Sequence, residues 1–262
     1  MGKALLVAGS YGKMGACVLA AKACKRSGVG LLIVHSPKCG YTILQSTVPE
    51  AMALVDKSDA IFTEGLDTSS YDVIAVGPGL GTKKSTRKAL TFLIKQTEKP
   101  MVLDADALNI LAAQPELFKH LPNNSIITPH RGEWERICGI PTSESLAQLQ
   151  AARKFAKTYK ITIVLKDAIT AIIDVKGNVY FNATGNSGLA TGGSGDVLTG
   201  IITALMAQNY TTLEATKLGV YIHGKAADIA IKETQSPESL IASDVVEYLG
   251  KAFGSLLIDF NN

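Results

Sequence analysis

Short, uninterrupted apolar runs that recur between amphipathic segments limit what this chain can fold into. Ala4–Ala8, Leu31–Val34, Val73–Val76, Met101–Leu103, Ser125–Thr128 and Ile161–Leu165 are of strand length and rich in Val, Ile and Leu. Between several of them lie Ala16–Arg26, Lys83–Gln96 and Ser145–Thr158, which carry helical patterning. A strand that is apolar on both faces must be covered on both faces, and an intervening helix lets successive strands run parallel. The expectation is an α/β fold with a mostly parallel central sheet and helices on both faces. Thr170–Asp174 and Val179–Asn182, separated by Lys176-Gly177-Asn178, read as a hairpin and add a small antiparallel edge. The last third is helical: Val197/Leu198, Ile201/Ile202 and Leu205/Met206 step at helical spacing, and Leu213–Ile231 and Val245–Leu257 continue in the same manner. No low-complexity tract, Pro-rich linker or repeat divides the chain, so 1–262 reads as a single domain.

Charge and cysteine usage narrow the function classes. With 26 Lys+Arg against 23 Asp+Glu, the surplus of +3 is too small to point to nucleic acid or an anionic membrane as partner. No apolar run reaches the roughly 18–20 residues needed to span a bilayer. Ala4–Ala8 is too short for a signal peptide, and Cys17, Cys24, Cys39 and Cys138 lack CxxC spacing. Reduced thiols in a cytoplasmic protein are expected, without a disulfide framework or a zinc site.

The densest chemical signal is Asn186-Ser187-Gly188-Leu189-Ala190-Thr191-Gly192-Gly193-Ser194-Gly195-Asp196, directly ahead of an apolar helix. Glycines let backbone approach a ligand closely, and the free N–H groups of a helix start, with its dipole, make an anion site suited to a phosphate. An ordinary Gly-rich turn with Asp196 as a helix-start residue would satisfy the same pattern less fully. A carboxylate beside an anion hole can accept the proton of a substrate hydroxyl while a phosphoryl group arrives there. The helix start is expected to keep Asp196 ionised. Gly77-Pro78-Gly79-Leu80-Gly81 ends a strand, where ligands bind in open α/β sheets, but its spacing is not a Walker A. Asp104 and Asp106 end another strand and fit two roles: holding magnesium through water, or capping a helix that begins near Ala107. Gly9, Gly12 and Gly15 have the spacing G-x-x-G-x-x-G, and Val34-His35-Ser36 supplies no acidic residue for a ribose, so a hydride-transferring dehydrogenase is disfavoured.

Taken together, the run from Asn186 to Asp196 resembles the signature of the ADP/ATP-dependent NAD(P)H-hydrate dehydratases of the ribokinase-like superfamily. Ala8-Gly9-Ser10 through Gly15-Ala16, Arg26-Ser27-Gly28-Val29-Gly30, Gly77–Gly81, Leu103-Asp104-Ala105-Asp106-Ala107-Leu108-Asn109 and Thr128-Pro129-His130-Arg131-Gly132-Glu133 agree in order and spacing. The resemblance implies a ribokinase-like fold and a repair reaction. ADP or ATP, with Mg2+, phosphorylates the C6 hydroxyl of hydrated NADH or NADPH; phosphate then leaves and the ring double bond returns. It implies Asp196 as the base at the hydroxyl and as a substrate contact, and Gly195 as a nucleotide contact. Gly192, Gly193, Ser194 and Gly195 would form the anion hole. Lys166, Asp167, Ala168, Ile169 and Thr170 correspond to the nucleotide-contacting segment, in which members usually carry Gly where Asp167 stands. Ala16, Gly79, Gly81 and His130 correspond to substrate contacts, whereas His35, His120 and His223 read as structural. The resemblance further implies a homotetramer and, in some members, a fused epimerase domain. This chain begins almost on its first strand, which suggests a short form or a domain excised from a longer protein. A sugar or vitamin kinase of the same superfamily and a non-catalytic nucleotide sensor are the rival readings.

Overall fold

The computed structural model describes residues 2–233 and 236–258. Nine strands form one sheet in the order β3-β2-β1-β4-β5-β6-β7-β8-β9. They are β1 (Lys3–Val7), β2 (Leu31–Ser36), β3 (Met52–Val55), β4 (Val73–Val76), β5 (Met101–Leu103), β6 (Ile126–Ile127), β7 (Thr162–Leu165), β8 (Thr170–Ile173) and β9 (Val179–Asn182). Pairing is parallel from β3 to β7 and antiparallel for β7–β8 and β8–β9. The expected architecture, with its antiparallel edge, is therefore observed. One strand had no expectation attached. In β3 the side chains of Met52 and Leu54 are exposed, so the apolar run Ala51–Val55 forms an edge strand that is only partly covered. The expected strand over Ser125–Thr128 shortens to Ile126–Ile127.

Alternate residues along each strand feed two separate cores. Leu6, Val34, Ala75, Val102 and Val164 face α1 (Met14–Arg26), α7 (Ser194–Ala207), α8 (Thr212–Glu233) and α9 (Ala242–Ile258). Leu5, Ile33, Ile74, Leu103 and Ile163 face α3 (Lys84–Gln96), α4 (Asp106–Ala113), α5 (Arg131–Cys138) and α6 (Ser145–Tyr159). A short α2 (Tyr41–Thr47) links β2 to β3. Neither α2 nor α5 was expected. Of the eight residues of α5 only Glu133 and Trp134 are buried, too few for a visible apolar stripe.

Helix α7 is buried over nearly its whole length. From Val197 to Ala207 every residue is buried, as its unbroken apolar pairs require. Gly200 allows the close crossing with α1, because a Cβ there would lie 2.2 Å from the Ala20 carbonyl oxygen. Small residues at this crossing seat α7 deeply, and its first turn comes out at the carboxyl rim of the sheet.

Candidate active site

Strand order reverses around β1, whose neighbours are β2 on one side and β4 on the other. Such a reversal opens a crevice beyond the carboxyl ends of the strands. The loops after β1 and β4 are joined there: the Gly9 amide donates to the Pro78 carbonyl at 2.8 Å, and Ser10 Oγ donates to the Gly79 carbonyl at 2.7 Å. The ends of β5, β6 and β7 deliver Asp104, His130 and Lys166 to the same rim.

Asp104 is the hub. Only 1% exposed, it accepts Lys166 Nζ on Oδ1 at 2.8 Å and Thr199 Oγ1 on Oδ2 at 2.9 Å. Thr199 belongs to α7, so one carboxylate ties β7 to the helix that carries Asp196. A Cβ on Gly195 would lie 3.1 Å from Lys166 Nζ and 3.4 Å from Asp104 Oδ2. The lysine ammonium therefore sits directly over the opening turn of α7. Burial works against its charge, but Asp104 and Glu133 outweigh that and hold its pKa above the ordinary lysine range. Lys166 is thus no solvated strand-end lysine.

Asp196 overturns one expectation. Burial pushes its carboxyl up to about 7; Asp104 adds to the rise and Lys166 opposes it. The dipole of the helix start does not keep it firmly ionised, because desolvation and neighbouring carboxylates weigh more. A pKa near neutrality suits a group that must both take and return a proton. Glu133 shares this environment: burial raises it to about 7, with Lys166 opposing and Asp104 reinforcing.

Neither Asp104 nor Asp106 caps α4, whose N-cap, Ala105, has no side-chain cap bond. That reading is corrected. Asp106 lies inside the first turn, and its Oδ2 accepts the Gly81 amide at 2.8 Å and Lys13 Nζ at 3.1 Å. Gly79 has φ +62°, and a Cβ there would lie 2.5 Å from the Lys13 carbonyl oxygen and 3.2 Å from the Ala16 Cβ. Its close approach is to the start of α1, so Gly79 and Ala16 face each other. Gly81, with φ +78°, meets only Ser10 Oγ, at 3.8 Å, and is the more open of the two.

Along Lys166–Thr170 the family's usual glycine is not missed. Asp167 is absent from the positive-φ residues. Its Oδ2 accepts Arg131 Nη1 at 3.1 Å and its Oδ1 accepts the Ala168 amide at 2.8 Å. Ile169 is exposed, and Thr170 opens β8.

Behind the glycine loop, α8 supplies Asp228, which sequence reasoning passed over, and His223, which it read as structural. Asp228 accepts the Gly185 amide at 2.9 Å and Asn186 Nδ2 at 3.1 Å, while Asn186 Oδ1 accepts the Gly188 amide at 3.0 Å. His223, buried, places Nε2 3.2 Å from Ser194 Oγ, and burial pushes its pKa down to about 4. The available signal was a histidine and an aspartate within an otherwise small and apolar stretch. Gly193 (φ +92°) is the N-cap of α7, and a Cβ there would lie 2.5 Å from Leu19 Cδ1. Gly192 has open space around it. His223→Phe, of similar volume, is expected to cost about 1 kcal/mol at neutral pH, read by urea denaturation. The neutral native histidine binds fewer protons than the unfolded one, whose reference value is 6.5. Stability is therefore lost as pH falls from 6.5 towards 4, and the variant should flatten that loss.

Comparison with known proteins gives this geometry a family. A family model described as NAD(P)H-hydrate dehydratase matches residues 4–250. The bifunctional NAD(P)H-hydrate repair enzyme Nnr of Thermofilum pendens is 35% identical over 100% of this chain and 51% of its own length. The ADP-dependent (S)-NAD(P)H-hydrate dehydratase of Neisseria meningitidis is 36% identical over 93% of this chain and 82% of its own. The chain spans about half the length of the bifunctional relatives it matches. Among solved structures, the ADP/ATP-dependent NAD(P)H-hydrate dehydratase from Bacillus subtilis, co-crystallised with ATP/Mg2+ and soaked with CoA, superposes with a TM-score of 0.84 at 30% identity, covering 97% of this chain and 92% of that one. Arabidopsis thaliana ribokinase, at 14% identity and a TM-score of 0.62 over 95% and 99% of the two chains, shares the fold alone. With a family model spanning nearly all of the described sheet and helices, and a relative matched over most of both chains, this chain belongs to the NAD(P)H-hydrate dehydratase family on a ribokinase-like fold.

Proposed function

We propose that the chain restores hydrated NADH or NADPH to the reduced cofactor at the expense of ADP or ATP. The observation that carries this is the meeting of Asp196, tuned to about 7, with Lys166 over the first turn of α7. Asp196 takes the proton of the C6 hydroxyl as that oxygen attacks the terminal phosphorus. The anion hole of Gly192, Gly193, Ser194 and Gly195 and the Lys166 ammonium hold the charge that spreads over the moving phosphoryl oxygens. That attack displaces AMP from ADP, or ADP from ATP, and leaves the hydroxyl proton on Asp196. The phosphorylated ring then expels phosphate from C6 and gives up a C5 proton to the departing phosphate or to water, so that the C5–C6 double bond returns. Lys166–Thr170 flank the nucleotide, with the exposed Ile169 offering an apolar face for the base. Ala16, Gly79, Gly81 and His130 line the substrate side.

The residues present suit a magnesium ion brought in with the nucleotide. Asp104 and Asp106 both raise the Asp196 carboxyl, so the rim carries a local excess of negative charge. Magnesium commonly takes one or two carboxylates with phosphate oxygens and water. No group of three acidic, His or Cys side chains among the described residues is arranged for a metal, and both Asp104 oxygens are engaged, so Asp106 and Asp196 are the carboxylates that would meet the ion. Bound there, it supplies charge neutralisation on the phosphates.

A homotetrameric assembly in the cytoplasm, served by an epimerase that interconverts the two hydrate stereoisomers, is part of the same proposal. Bifunctional relatives carry the name of a repair enzyme, and no helix among the described residues is long and apolar enough to cross a membrane. The decisive assay mixes purified protein, hydrated NADH and Mg2+ with ADP or ATP in turn, and follows the reduced-cofactor absorbance. Recovery with either nucleotide is expected. No recovery with both, or accumulation of a phosphorylated product seen by phosphorus NMR, overturns the reading.

A further inference from the structure

An imidazole at the rim of a substrate site is ordinarily the first candidate for moving a proton. The surroundings of His130 argue otherwise. Its Nδ1 accepts the Gly132 amide at 3.1 Å and the Glu133 amide at 3.3 Å, and its own amide donates to Glu133 Oε2 at 2.9 Å. His130 is thus the N-cap of α5 in a reciprocal capping box. Backbone amides only donate, so the Nδ1 lone pair is committed to them. A neutral imidazole has one ring proton, and with Nδ1 as acceptor that proton resides on Nε2. A nitrogen that already bears its proton has no in-plane lone pair with which to take another. Protonating Nδ1 instead would set an N–H against two N–H groups and open the cap.

The ring is nevertheless available to a ligand. Its side chain is 54% exposed, and a parallel bridge pairs His130 with Lys166 at the phosphate end of the site. Burial, with Lys166 and Arg136, keeps its pKa below the ordinary histidine value, so the neutral form prevails at pH 7 and above. Nε2 lies 3.5 Å from Glu133 Oε1. A neutral Nε2–H beside a carboxyl that is itself about half-protonated at neutral pH suits an uncharged oxygen better than a second anion.

We propose that His130 is a hydrogen-bond donor of fixed tautomer, its Nε2–H directed to a neutral carbonyl or hydroxyl oxygen of the bound substrate, and that it accepts no proton in the reaction. The substrate half of this proposal rests on the dehydratase reading; the tautomer does not.

Two experiments test it. In the 15N-labelled protein without ligand, long-range proton–nitrogen correlation spectra read both ring nitrogens, and His130→Asn identifies the signals by their loss. Nδ1 should resonate as a bare nitrogen and Nε2 as a protonated one; the reverse pattern, or averaged shifts, overturns the proposal. A chain without dehydratase turnover would leave those shifts unchanged, so the two failures are distinguishable. Asparagine remains a good N-cap, so His130→Asn keeps the helix start while withdrawing the imidazole Nε2–H from the substrate. The expected kinetic result is a KM for the hydrated cofactor raised by about tenfold with kcat changed by less than about threefold. A kcat lowered by about a hundredfold at constant KM would mean that His130 moves a proton, and an unaltered KM would mean that it does not touch substrate; either overturns the proposal.

Discussion

Asp196→Asn is expected to lower kcat by about 10³-fold, within the range typical of losing a general base, while nucleotide affinity stays close to the parent value. The amide fills the same space at the start of α7 but cannot take the hydroxyl proton. Single-turnover recovery of reduced cofactor, alongside calorimetric titration with ADP and ATP, separates the two effects. Turnover within about tenfold of the parent would remove the base assignment. The same variant should be more stable than the parent. The native carboxyl titrates near 7, whereas its ordinary value is 3.8. The native state therefore holds a proton that the unfolded chain has released, and stability contributed by this group falls as pH rises from about 4 through about 7. Removing the carboxylate should raise the melting temperature at pH 5 and raise it more at pH 8. An equal or smaller gain at pH 8 would mean that Asp196 is not desolvated as described.

Asp104→Ala is expected to have the largest structural effect. It strips the buried partner from Lys166 and from Thr199 at once. Breaking a buried pair by removing one member typically costs about 3–5 kcal/mol, because the remaining charge is left uncompensated. For a chain of this size that corresponds to a melting temperature lower by roughly 10 °C. A fall below about 1 kcal/mol in urea denaturation would contradict the hub role. Residual activity carries a second signature. Asp104 raises the Asp196 carboxyl and Lys166 lowers it, so losing Asp104 moves the acidic limb of the rate profile to lower pH. A limb that moved upward would show that Lys166 no longer lies beside Asp196.

What sequence could and could not reveal follows from the range of the forces involved. Central strands are apolar on both faces, and α7 is apolar all round, so their burial is written locally and their positions were legible. The α5 helix carries almost no such pattern and is specified by a capping box whose acceptor is a histidine ring, whereas β3 was missed although its run Ala51–Val55 is apolar. Gly195 and Asp196 stand out in the sequence because a glycine loop at a helix start carries a phosphate-binding logic, whereas Lys166 is reached only through the family resemblance. Their electrostatics were not legible. Ionisation of Asp196 depends on carboxylates delivered from β5 and α4, far apart in the chain, and desolvation has no sequence signature. Asp228 stayed hidden for the same reason, and so did the partner of His223, which was read only as structural: each acts on a loop some tens of residues away, and only the packing of α8 brings them there.

The burial of α7 on every side has a consequence for how the carboxylate proposed as base is presented. An aspartate on a wandering loop would pay an ordering entropy on each turnover, whereas Asp196 is set in place once, when the domain folds. The loops after β1 and β4 are held as firmly, by the bonds Gly9–Pro78, Ser10–Gly79 and Gly81–Asp106, so both sides of the rim are set when the chain folds.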